Sequence, residues 1–153
     1  SKTYAMTGWR LGCAIWPREL ALIATRLAIN CHSCVNAVAQ YAGIAALEGP
    51  QEAVHKMVAA FDERRKIIVD SLNSLKGFRC VEPGGAFYAF PNITGTGMDA
   101  KSLQNLILEK AHVATVAGTA FGDNGEGFLR FSYANSKENI IEAIDRISDC
   151  LTK

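Results

Sequence analysis

Apolar positions recur along this chain at two periods, and the change between them separates helices from strands. Leu11-Gly12-Cys13-Ala14-Ile15-Trp16 is a short apolar run that reads as a buried strand, ended by Pro17. Leu20, Ile23, Ala24 and Leu27 then fall at helical spacing, with Pro17 suited to the first turn. The pattern breaks around Asn30 to Ser33. A second helical face carries Val35, Val38, Ala39, Ala42 and Ala46 until Gly49-Pro50 interrupts it. The longest stripe, through Val54, Met57, Val58, Phe61, Ile68, Leu72 and Leu75, predicts one helix over 51–76 with Gly77 as its C-terminal cap.

Beyond Gly77 strands alternate with helices. Phe78 to Val81 and Ala86 to Phe90 read as strands joined by Glu82-Pro83-Gly84-Gly85, and Val113 to Val116 and Phe128 to Tyr133 as two more. Asp99 is placed to N-cap a helix carrying Leu103, Leu106, Ile107 and Ala111. Ser136 caps a last helix with Ile140, Ile144, Ile147 and Leu151 facing in. This half is predicted to be α+β, a small sheet with helices on one side.

Composition narrows the function classes. The 153 residues are 49% hydrophobic and 20% charged, and the net charge is +1. That balance offers no electrostatic case for nucleic acid or a membrane surface. The apolar runs are interrupted early, for instance by Arg26, so no segment is long enough to span a bilayer. The run Asp62-Glu63-Arg64-Arg65-Lys66 reads as a solvated helix face with local ion pairs. The cysteine count, 5, is odd and argues for a reducing, intracellular setting. Cys31-His32-Ser33-Cys34 has C-x-x-C spacing but no second ligand pair for zinc, so the cysteines read as buried or half-buried thiols and no metal is expected. Gly95-Thr96-Gly97 and Gly122-Asp123-Asn124-Gly125-Glu126-Gly127 lack the spacing and context of a dinucleotide loop. His32, His55 and His112 have no serine or carboxylate arrangement around them and read as structural or surface residues.

Two stretches carry candidate chemistry. In Ser1-Lys2-Thr3-Tyr4-Ala5-Met6-Thr7-Gly8-Trp9-Arg10-Leu11-Gly12 an amine and a guanidinium are separated by eight positions, and glycines flank the arginine. A primary amine captures an aldehyde as a Schiff base, a guanidinium clamps a phosphate bidentately, and glycine lets the backbone approach a ligand. In Phe128-Leu129-Arg130-Phe131-Ser132-Tyr133-Ala134, strand alternation puts Arg130 on one face with Phe128 and Ser132. A charge among aromatics on a core-facing strand needs a partner, either an internal carboxylate or that of a ligand.

The first stretch closely resembles, without a gap, the lysine signature of the pyridoxal-phosphate-dependent aminotransferases of class I/II, the aspartate-aminotransferase-like, fold type I family. Phe128 to Ala134 is similar to that family's carboxylate-binding strand. Gly84-Gly85-Ala86-Phe87-Tyr88 and Gly118-Thr119-Ala120-Phe121-Gly122 look like its loops at the active-site mouth, with Ala117 where the family usually has proline. The resemblance implies an α/β fold: the C-terminal part of a fold type I transferase. Residues 1–49 would be the remnant of the large cofactor-binding domain, 50–77 the connecting helix and 78–153 the small α+β domain. It implies pyridoxal 5'-phosphate as cofactor, Lys2 as the Schiff-base lysine and proton carrier, Arg10 as the phosphate arginine and Arg130 as the fork for the substrate α-carboxylate. It implies amino acid and 2-oxo acid substrates, a cytoplasmic homodimer, and no nucleic-acid or membrane partner. A C–S lyase, or an aminotransferase-like effector domain of a transcription regulator, would share these residues. The family pattern has two further small or apolar residues ahead of Ser1. The chain is therefore expected to be the last two-fifths or so of a longer protein, inactive alone, with its first fifty residues poorly packed unless a partner covers them.

Overall fold

Helices form where an apolar stripe coincides with a start signal. In the computed structural model, which describes residues 1–152, α1 spans Arg18–His32, α2 Ala37–Glu48, α3 Glu52–Ser74, α4 Ala100–Leu106 and α5 Lys137–Thr152. Asn36 caps α2, its Oδ1 accepting from the N–H groups of Val38 at 2.9 Å and Ala39 at 3.3 Å. Asp99 caps α4 through the Ser102 N–H at 2.8 Å, and Ser136 Oγ accepts from the Asn139 N–H at 3.2 Å at the start of α5. Hydrogen bonds from Ser102, its side chain first and its N–H second, hold the Asp99 carboxyl below its usual pKa. α1 runs two residues past Asn30 and stops at His32, within the predicted break; Asn30 satisfies its amide on the Arg26 carbonyl at 2.7 Å, and Ser33, at φ 59°, ends the helix. Pro17 stands at the cap position, one residue before the first turn.

The chain divides into two compact units, Ser1–Met57 and Val58 onward. In the first, Leu11 to Trp16 does not form the predicted strand. A strand is half of a hydrogen-bonded ladder, and among the described residues this run has no partner; Ile15 is fully exposed. Within this unit only Ala39 and Gly43 are buried among the described residues. The apolar face of α1 (Leu20, Ile23, Leu27) lies open, as do Trp9 and Trp16. Cys13, Cys31 and Cys34 are exposed too, contrary to the expectation of covered thiols, because they lie on this uncovered unit; Cys80 is buried and Cys150 half-buried. Amide exchange follows from this contrast. In the isolated chain, amides of residues 11–16 are expected to exchange at nearly the unprotected rate, while those of 129–132, in a paired strand, stay protected to near global unfolding. Equal protection of the two segments, read by mass spectrometry, would refute this.

The second unit holds the core. β1 (Tyr88–Ala89), β2 (Val116–Ala117) and β3 (Leu129–Ser132) form an antiparallel sheet in the order β1-β3-β2, with Tyr88 opposite Ser132 and Val116 opposite Arg130. Leu129, Phe131 and Tyr133 point inward, packing in one cluster with Leu72 of α3, Leu103 of α4 and Ile144 and Ile147 of α5. The predicted strands at 78–81 and 86–90 are shorter than expected. The first contributes one bridge, Arg79 to Asn92, and the second is bounded by Ala86 in a left-handed conformation (φ 62°) and by Pro91, which has no N–H to donate. α4 continues through a wider turn, Ile107–Ala111, to His112 at φ 56°, which shifts the following strand to Val116–Ala117. Gly77 does not cap α3, which ends three residues earlier at Ser74. It is glycine because its φ is +86° and a Cβ there would stand 2.6 Å from the Gly95 carbonyl carbon.

Candidate active site

The candidate residues lie on both units, and the geometry of each unit stands by itself. Residues 1–10 coil tightly: the Met6 N–H donates to the Ser1 carbonyl at 2.7 Å and the Ala5 N–H to the Lys2 carbonyl at 3.2 Å. A single helical turn, Thr7–Trp9, ends at Arg10 in a left-handed conformation, φ 53° and ψ 37°. Arg10 lines a shallow depression with Ala5, Gly8, Trp9, Asn36 and Val38. Its guanidinium makes one long contact, Nη1 to the Thr7 carbonyl at 3.4 Å. Lys2 and Arg10 are exposed, and among the described residues neither has an acidic partner. A Cβ at Gly8 or Gly12 would meet no atom within 4 Å, so no packing demand explains these glycines. This donor set, a free amine and a free guanidinium beside open backbone, matches what an aldehyde carrying a phosphate requires.

On the second unit the alternation of β3 holds, but Arg130 faces away from the core. Leu129 and Phe131 are buried while Arg130 is half-exposed on the opposite face. The expectation of a core-facing charge is corrected here: helices cover one face of the sheet and leave Arg130 on the other. Nor does an internal salt bridge satisfy it, since no carboxylate pairs with it among the described residues. Its guanidinium lies instead against two rings, Tyr88 at 4.4 Å and Phe121 at 4.6 Å from the ring centroids. Contacts of this kind engage the face of the guanidinium and leave its in-plane N–H groups for an anion. Phe90 stacks on Phe128 with centroids 5.4 Å apart and meets Phe121 edge-on at 6.2 Å, extending the aromatic surface.

Tyr88 and Phe121, from the two loops singled out in the sequence, thus join Arg130. Phe128 joins them as strand alternation placed it, but Phe90 was missed; only the pairing of β1 with β3 brings it to this face. The charged run on α3 also does more than solvate a helix. Asp62 takes Lys66 at 2.8 Å and Arg65 at 2.6 Å, and these hydrogen bonds, Lys66 first, hold its carboxyl below the usual range. Arg65 reaches beyond the helix to the Glu82 carboxylate and, at 3.3 Å, to the Pro83 carbonyl.

Similarity to known proteins extends over nearly the whole chain. The family model described as Aminotransferase class I and II matches residues 1–147. The aspartate aminotransferase of Pyrococcus horikoshii is 47% identical over 153 residues, which cover 99% of this chain and 39% of that protein. The LL-diaminopimelate aminotransferase of Desulforudis audaxviator is 42% identical over 151 residues, covering 99% of this chain and 38% of that protein. The crystal structure of an aromatic aminotransferase from Pyrococcus horikoshii OT3 superposes with a TM-score of 0.93 at 39% identity, over 98% of this chain and 40% of that one. The chain therefore spans about two-fifths of the length of the relatives it matches.

Proposed function

We propose, from the premise that this chain belongs to the class I and II aminotransferase family, that it forms part of a longer enzyme that moves an amino group between an amino acid and a 2-oxo acid. Pyridoxal phosphate, when bound, supplies the electron sink that lets a substrate Cα–H bond release its proton. The residues of this chain do the rest of what it contributes. Lys2 would hold the cofactor's aldehyde through Nζ, and its amine would be the group that carries the proton off the substrate Cα. Arg10 clamps the phosphate from the left-handed turn that ends Thr7–Trp9, and Gly8 and Gly12 leave room beside it. Arg130 grips the substrate α-carboxylate through its in-plane N–H groups while Tyr88 and Phe121 steady its face.

The observation that carries this reading is an arginine without an acidic partner among the described residues, lying against two rings on the open face of the sheet. A structural salt bridge would have consumed the groups that Arg130 leaves free. The domain division drawn from the resemblance (1–49, 50–77 and 78–153), a homodimeric assembly and a cytoplasmic setting belong to the same proposal. So does inactivity of the isolated chain, because Lys2 and Arg10 provide one attachment and one clamp without contacts to the cofactor ring. Reductive trapping tests it. The longer enzyme is treated with pyridoxal phosphate, reduced with borohydride and digested, and the peptide bearing the pyridoxyl group is sequenced by mass spectrometry. The label is expected on Lys2; a label on any other lysine overturns the assignment.

A further inference from the structure

The loop from Glu82 to Phe87 is anchored at two points, and it leads directly into the ring that lies on Arg130. Its first anchor is Arg65 of α3. The guanidinium is held in place by Asp62, with Nε at 3.1 Å and Nη2 at 2.6 Å, and Nη1 bonds both the Glu82 carboxylate and the Pro83 carbonyl. The second anchor is Tyr133, the residue that follows β3. Its side chain is 1% exposed, and it takes two successive carbonyls of the loop: the hydroxyl donates to Ala86 at 3.1 Å and the backbone N–H to Phe87 at 3.0 Å. Immediately ahead of these two carbonyls Ala86 has φ 62°, a conformation that a residue with a Cβ adopts only when its surroundings impose it. Phe61 packs on both sides of this junction, its ring 6.0 Å from Phe87 and 6.3 Å from Tyr133. The next residue is Tyr88, whose ring lies 4.4 Å from the Arg130 guanidinium.

We propose that Tyr133 is a positioning residue for Arg130: by holding the Ala86 and Phe87 carbonyls it sets where the Tyr88 ring lies, and with it the plane of the guanidinium. Arg65 secures the other end of the loop against α3. Removing the hydroxyl frees the Ala86 carbonyl and lets Ala86 relax from the left-handed region, which turns the Ala86–Phe87 peptide, one residue ahead of Tyr88. The value of this device for substrate binding rests on the reading of Arg130 as the carboxylate fork; the device itself does not.

The test uses the 153-residue chain without ligand, so that failure of Arg130 to bind carboxylates leaves it unaffected. A proton held over an aromatic face resonates upfield, so the Arg130 Hδ and Hε signals report the ring contacts. Tyr88→Leu sets the size of the Tyr88 contribution. Tyr133→Phe, which keeps the ring and the backbone N–H, is expected to move both signals downfield along the same path. Arg65→Lys, on the more exposed side of the loop, is expected to move them in the same direction by less. Ile147→Val, a core change in the same unit, controls for general loosening and is expected to leave them in place. Arg130 signals that stay put in Tyr133→Phe while Tyr88→Leu moves them would overturn the proposal. So would an Ile147→Val variant that shifts them as far as Tyr133→Phe does.

Discussion

Replacing Lys2 by alanine in a longer aminotransferase that contains this chain is expected to lower the transamination rate by at least about 10²- to 10⁴-fold, the range for one positioned proton-transfer group. The true loss is expected to exceed that range, because the same amine also serves as the covalent attachment, and removing one member of a coupled set costs more than its separate share. The fold should be untouched. Lys2 is exposed and has no ion-pair partner among the described residues, and surface changes of that kind stay within about 0.5 kcal/mol. The measurement is the steady-state rate with an amino acid and a 2-oxo acid, beside circular dichroism to show an unchanged fold. A variant that turns over at a tenth of the normal rate or faster would remove Lys2 from the mechanism.

Arg130→Lys in the same enzyme is expected to reduce kcat/KM for amino acids by about 2–4 kcal/mol, or roughly 30- to 1,000-fold, as one arm of a bidentate pair to a desolvated carboxylate is lost. Lysine keeps the charge, so the loss reads the planar fork and its seat between Tyr88 and Phe121, not net electrostatics. Arg130 stands on the face opposite the core, so the variant should unfold at a denaturant midpoint close to the parent's. The discriminating substrate is an amine without an α-carboxylate. Its slow turnover should be unaffected, because it has nothing for the fork to hold. An equal fall for both substrates would show that Arg130 supports the structure and does not bind the carboxylate.

Much of the architecture is legible in the amino-acid sequence, wherever the information is local. The stripe of α3, the Asp99 and Ser136 caps and the inward face of α5 follow from helical periodicity and from side chains that reach their own backbone. Lys2, Arg10 and Arg130 stand out as candidates for a similar reason: residue type fixes what an amine or a guanidinium is able to bind. Ladders, faces and straps were not legible, because each depends on residues distant in the chain. Leu11 to Trp16 has the composition of a strand but no partner to complete its ladder. Alternation put Arg130 with Phe128, but only the helices packed on Leu129 and Phe131 decided which face is core. Arg65 reads as one more charge on a solvated helix until the fold carries Glu82 and Pro83 to it, 17 and 18 residues on. Gly77 looks like a helix cap until Gly95 is seen pressed against it. A side chain's reach along its own helix or strand is set by covalent geometry and can be read in order; what meets it across the core is set by the packing of the whole unit.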